Sequence, residues 1–147
     1  MTELLSPGTK TVLIVDDDEG VLNLLEILVR RDGFKVDLAN SGDRALTRLE
    51  RKPDAMLLDL MLPGTTTGFE VLRRLREGQK SVPPIIVVTA FATDPEIKKV
   101  EADPNVRAVI TKPINQERLL AALHSALKTK APERKAAPQP PQQPKQQ

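Results

Sequence analysis

Asp59 stands between Leu58 and Leu60 inside an otherwise apolar stretch, Met56 to Leu62. A carboxylate in such a run is costly to bury unless it has a partner or a task. Other candidate groups sit just beyond other apolar runs. The acids Asp16, Asp17, Asp18 and Glu19 follow Val12–Val15, Thr89 follows Ile85–Val88, and Lys112 with Pro113 lies just past Ala108–Ile110. Carboxylates brought close together repel one another and require a cation. Hard oxygen donors with little nitrogen and no sulfur suit Mg2+ or a similar ion. The lysine adds a second positive charge and the threonine a hydroxyl donor. Anionic nucleophile, metal, ammonium and hydroxyl together suit stabilisation of a transferring phosphoryl group. Singly, each member has a bland explanation. Acids after a strand are often solvated loop groups or helix caps, and we assign that role to Asp18 or Glu19. A Thr or a Lys-Pro at a strand end is uninformative by itself, so the inference rests on their joint placement.

The elements that must position these groups alternate along residues 11–127. Five short runs rich in β-branched residues read as strands: Val12–Val15, Lys35–Leu38, Ala55–Leu58, Ile85–Val88 and Ala108–Ile110. All but the second are nearly continuously apolar, as expected of a parallel sheet covered on both faces, and the polar second run suits an edge. Between them lie stripes at helical spacing. Val21, Leu24, Leu25 and Leu28 form one, stopped at Gly33. Ser41 caps a helix carrying Ala45, Leu46 and Leu49, and Phe69, Leu72 and Leu75 form another stripe, ended at Gly78. Asp94–Pro95 starts a helix bearing Ile97 and Val100, and Asn115 caps a last helix with Leu119, Leu120, Leu123 and Leu127 inward. Five βα units in a row predict an α/β, flavodoxin-like doubly wound (βα)5 fold with a five-stranded parallel sheet in order 2-1-3-4-5. In such folds ligands bind beyond the carboxyl ends of the strands, where the order reverses. Four of the five strand ends carry the residues above.

Composition narrows the function classes. The chain has 147 residues, of which 39% are hydrophobic, so a packed globule is expected. Aromatics are 2%, which disfavours a single-strand nucleic-acid binder needing stacking platforms. Cysteine is absent, which removes disulfides and thiolate metal sites. Met1 to Lys10 carries no apolar stretch of signal-peptide length, and no run approaches a membrane span, so a soluble, cytoplasmic protein is expected. The net charge of +2 hides an asymmetry. Lys128, Lys130, Arg134, Lys135 and Lys145 against Glu133 leave the tail at +4 and residues 1–127 at −2. A basic tail of this kind is poor evidence for a DNA-binding face on the folded part. Rich in Pro and Gln and without large apolar residues, residues 128–147 are expected to be disordered. The expected division is therefore a flexible 1–10, a folded 11–127 and this basic tail.

Over about Thr11 to Leu127 the sequence closely resembles the response regulator receiver family, the CheY-like domains of two-component phosphorelays. VLIVDDDEGVLNLLEILV looks like that family's first strand, acidic pair and first helix. DAMLLDLMLPG followed by GFEVLRRLR looks like its phosphorylation-site strand and third helix, and IIVVTA and VITKP like its last two signature strands. The resemblance implies that Asp59 is the phosphoacceptor and Asp17 a direct ligand of Mg2+ (or Mn2+). Asp16 would help hold the metal through water, and the backbone carbonyl of Met61 would complete the protein ligands. Thr89 and Lys112 would bind phosphoryl oxygens, and the Lys112–Pro113 bond would be cis. The implied donor is a phosphohistidine on a sensor histidine kinase or phosphotransfer protein. Three departures stand out: PGTTTG (Pro63 to Gly68) is one residue longer than the usual loop and lacks its common acid, Val109 replaces the usual Tyr or Phe, and ADPNV follows the fourth helix where a Gly-Ala turn is common.

Two readings from other classes compete. One is a pseudo-receiver, an interaction module whose phosphorylation switching is altered or lost; the complete acid, Thr and Lys set argues against it, Val109 for a changed readout. The other is a Mg2+-dependent hydrolase of the haloacid-dehalogenase type, which places a second acid two residues after its nucleophile, where this chain has Met61. No G-x-x-x-x-G-K-[ST] run supports phosphate-loop nucleotide binding. His124 reads as a rim residue of the last helix rather than a phosphodonor. The sequence therefore predicts a non-enzymatic signalling receiver that acts through protein partners, with an unknown downstream target and no direct DNA binding or membrane association.

Overall fold

The structure is a computed structural model, and it describes residues 4–78, 81–90 and 95–132. Strands β1 (Thr11–Val15), β2 (Lys35–Ala39), β3 (Ala55–Leu58), β4 (Ile85–Thr89) and β5 (Val106–Thr111) alternate with helices α1 (Glu19–Arg31), α2 (Gly42–Leu49), α3 (Gly68–Glu77), α4 (Glu96–Glu101) and α5 (Gln116–Leu127). The strands form one parallel sheet in the order β2-β1-β3-β4-β5, as the βα repeat predicts.

Alternation along each strand builds a core on both faces. Val12, Ile14, Ala55, Leu57, Ile86 and Val88 pack with Leu25 and Val29 of α1 and Leu119 and Leu123 of α5. Leu13, Val15, Met56, Leu58, Ile85 and Val87 turn the other way, towards α2, α3 and α4. This two-sided burial explains the continuously apolar runs. β2 and β5 are the strands left largely half-buried or exposed, which fits their edge positions. At the other edge β5 is longer than the run Ala108–Ile110. An irregularity between Ile85 and Ile86 lets Val106 pair with Ile85 past the exposed Arg107, which interrupts the apolar pattern.

Helix starts follow the cap residues. Side chains of Asp18, Ser41, Thr67 and Asn115 accept from Val21 N, Arg44 N, Glu70 N and Arg118 N. The cap role assigned to Asp18 or Glu19 thus falls to Asp18. Asp94, expected to start the fourth helix, lies outside the described residues, and α4 begins after Pro95.

The chain ends differ from expectation in part. Pro7–Thr9 forms a 3-10 turn, and Leu5 pairs in parallel with Thr129. Leu5 N donates to Lys128 O and Lys130 N to Leu5 O, both at 2.8 Å. Lys128 closes α5 in the left-handed conformation (φ 53°) and turns the chain back so that Thr129 is buried. Polar, backbone-mediated docking of this kind leaves no apolar mark in the sequence. Residues 133–147 of the expected tail lie outside the described residues.

Candidate functional site

β1 and β3 are neighbours, so the residues that follow them meet. Asp16 N continues the ladder to Ala39 O, and Asp59 N donates to Val15 O. One carboxylate oxygen from each of Asp16, Asp17 and Asp59 lies within 4.8 Å of the others. Asp16 and Asp59 are buried and Asp17 is exposed, so the cluster is walled on the protein side and open to solvent on the other. Three hard oxygen donors at this separation fit a divalent cation that keeps part of its water shell, the habit of Mg2+.

The ammonium of Lys112 reaches across from the end of β5. Its Nζ donates to Asp16 Oδ2 at 2.8 Å and to Asp59 Oδ2 at 3.1 Å. Lys112 N donates to Thr89 O at 2.9 Å, which fixes the strand end carrying it against β4. The Lys112–Pro113 peptide is cis, as the resemblance implies. Thr89 is fully buried at the end of β4, which places it in the same row of strand ends. Met61 is half exposed, and its N–H donates to Asp59 Oδ1 at 3.1 Å.

Electrostatics follow from this packing. Burial raises the Asp16 carboxyl above the ordinary aspartate value, although the bonds from Lys112 and from Asp18 N oppose it. For Lys112 burial disfavours the charged form, but hydrogen bonds and charge attraction from Asp16 and Asp59 together outweigh it and raise the ammonium. Lys112 is thus held charged between two carboxylates that its single charge only partly neutralises.

Two positioning glycines escaped the sequence reading. A Cβ at Gly68 would collide with Asp59 O and the Cα of Leu60, so only glycine lets α3 start directly against the backbone of Asp59. A Cβ at Gly42 would collide in the same way with Thr66 O. Thr66 Oγ1 in turn donates to Asp43 Oδ1 at 2.6 Å, which pins the long loop before α3 onto α2. A glycine at the first helical position is the signal available in sequence, but it does not tell what lies opposite. Val109 is half-buried and packs against the cluster containing Ile97 and Val100, on the α4 side of β5. His124 is no rim residue: it is buried at the other end of the sheet, bonded to Asp32 and Thr129.

Known proteins agree with this geometry. The sequence model described as "Response regulator receiver domain" matches residues 12–124. The sensory transduction protein RegX3 of Mycolicibacterium smegmatis is 38% identical over 120 residues, covering 80% of this chain and 50% of its own length. The phosphate regulon transcriptional regulatory protein PhoB of Pseudomonas aeruginosa is 35% identical over 132 residues, covering 88% of this chain and 56% of its own. The chain thus spans about half the length of these relatives. Among solved structures, a sensor protein from Polaromonas sp. superposes with a TM-score of 0.73 at 32% identity, over 80% of this chain and 95% of that one. A CheY-like receiver domain from Methanospirillum hungatei superposes with a TM-score of 0.69 at 29% identity, over 80% and 93%. By sequence, strand order and the placement of its acidic cluster, the chain belongs to the response regulator receiver domain family.

Proposed function

We propose that this receiver accepts a phosphoryl group on a carboxylate oxygen of Asp59 from the phosphohistidine of a sensor histidine kinase or phosphotransfer protein. One observation carries the reading: Lys112 Nζ bridges Asp16 and Asp59 at the mouth of a three-carboxylate cluster. Mg2+ (or Mn2+) would be held by Asp16, Asp17, Asp59 and the Met61 carbonyl, and would neutralise phosphoryl charge there. The Asp59 carboxylate attacks phosphorus in line with the departing imidazole nitrogen, so a P–O bond forms as the P–N bond breaks. Lys112 exchanges its contact with Asp59 for a phosphoryl oxygen, and the Thr89 hydroxyl donates to another. The Met61 N–H, already aimed at Asp59, holds the acceptor in orientation. Hydrolysis resets the site: a water oxygen bonds phosphorus as the bond from phosphorus to the Asp59 oxygen breaks, releasing inorganic phosphate and the free Asp59 carboxylate. The domain is a phosphoacceptor acting in the cytoplasm through protein contacts rather than an enzyme with its own substrate. Among the described residues no helix is long and apolar enough to cross a membrane.

The test is intact-mass measurement after treatment with acetyl phosphate and Mg2+. The wild type gains one base-labile phosphoryl group and Asp59→Asn gains none. An undiminished adduct in the Asn variant places the acceptor elsewhere.

A further inference from the structure

Helices in this fold run back against the strands, so the C-terminal ends of α1 and α5 meet at the end of the sheet opposite the acidic cluster. A second polar network is buried there, and phosphoryl transfer makes no use of it. His124 Nε2 bonds Asp32 Oδ2 at 2.9 Å, and His124 Nδ1 bonds Thr129 Oγ1 at 2.7 Å. All three residues are buried, and the imidazole lies tilted on Phe34 with ring centroids 4.8 Å apart. Each member comes from a different element: Asp32 closes α1, His124 stands in the last turn of α5, and Thr129 belongs to the chain leaving α5. Thr129 N also donates to His124 O at 3.0 Å. Leu5 then pairs on both sides of Thr129, and Pro7 packs at Gly33, whose φ of +101° ends α1.

We propose that the Asp32–His124–Thr129 network is a latch that fixes the direction in which the chain leaves the receiver. A plain helix end would need neither a buried imidazole nor a buried hydroxyl, since water satisfies terminal carbonyls. Here the buried imidazole bonds both the buried Thr129 hydroxyl and the buried Asp32 carboxylate, so the arrangement holds as a unit or opens as a unit. Leu5 and Lys130 are clasped together only while Thr129 is seated. The exit from α5 is therefore a joint with a set angle to α1, and whatever continues past Pro132 starts from an oriented stem.

The test combines amide hydrogen exchange with a nitroxide at Ala131→Cys, an exposed position in a chain without native cysteine. Thr129→Val keeps the volume and branching and deletes the hydroxyl; His124→Gln is the second variant. In either, exchange at Leu5, Thr129 and Lys130 should accelerate about tenfold or more, because a buried partner is lost. The nitroxide should become mobile, while amides of β1, β3 and β4 keep their protection. Unchanged exchange at the three amides in Thr129→Val overturns the proposal. So does a uniform acceleration that includes the sheet, because the network would then be ordinary core.

Discussion

Lys112→Met deletes the ammonium that bridges Asp16 and Asp59 and keeps most of its apolar stem. At 2.8 Å, with an effective dielectric near 20, direct attraction to Asp16 is about 6 kcal/mol, much of it offset by the cost of burying both groups. Removing one partner of a buried pair typically costs about 3–5 kcal/mol. The Lys112 side chain is 22% exposed, so water can partly replace it, and we expect a loss of about 2–3 kcal/mol. For a domain of this size that lowers Tm by about 10 °C. The pH dependence has a definite sign. Burial already lifts the Asp16 carboxyl above 3.8, and losing Lys112 lifts it further. The native state then holds a proton that the unfolded chain has released, over a window that opens near 3.8 and closes at the raised value. Stability falls with rising pH across that window, so the deficit is largest near neutrality and shrinks on acidification. In the wild type Lys112 is itself raised above 10.5, so its contribution is complete below 10.5 and disappears only at more alkaline pH. Saturating Mg2+ should also narrow the deficit, because a divalent cation takes over the charge the ammonium supplied. Thermal melts in chelator and in Mg2+, at about pH 5 and about pH 7.5, read all of this. Equal melting temperatures in chelator near neutrality, or a gap that widens on acidification, would refute the reasoning.

Two further outcomes follow from the same site. Asp17→Asn should weaken Mg2+ binding far more than Asp18→Asn, since Asp17 belongs to the three-carboxylate cluster whereas Asp18 caps α1; a Mg2+ titration showing equal losses would remove Asp17 from the ligand set. Gly68→Ala should destabilise the fold by about 1–3 kcal/mol in chemical denaturation, because its Cβ has nowhere to go but into Asp59 O and Leu60, and an unchanged midpoint would show that α3 shifts freely.

The acidic end of the molecule was readable because its chemistry conflicts with its surroundings. Asp59 interrupts a buried strand, and Asp16 ends one; a charge in an apolar run stands out in one dimension. The strand order adds what spacing along the chain cannot, by bringing the ends of β1 and β3 together and letting Lys112 cross to both. Steric requirements were not readable. Gly68 and Gly42 matter for what faces them, and Thr66 and Asp43, 23 positions apart, meet only because α2 and α3 pack side by side. The extra length of β5 was hidden for a related reason: Arg107 breaks the apolar pattern but sits at an irregularity that the pairing absorbs.

His124 shows the opposite limit. It stands on a helix among Ala and Leu, where a half-exposed imidazole is the ordinary expectation, and its partners lie 92 residues before it and 5 after. Neither partner looks unusual by itself. Asp32 precedes a helix-ending glycine, and Thr129 sits at the head of a Pro- and Gln-rich tail. Only the return of α1 and α5 to the same end of the sheet turns three unremarkable residues into one buried network. Among the described residues, the polar clusters at the two ends of the sheet therefore follow different logic. At one end three carboxylates face a single ammonium, which leaves negative charge for the proposed cation to balance. At the other, every polar group of the trio finds its complement inside the chain, so it gains nothing from a ligand and serves to hold the chain ends in place.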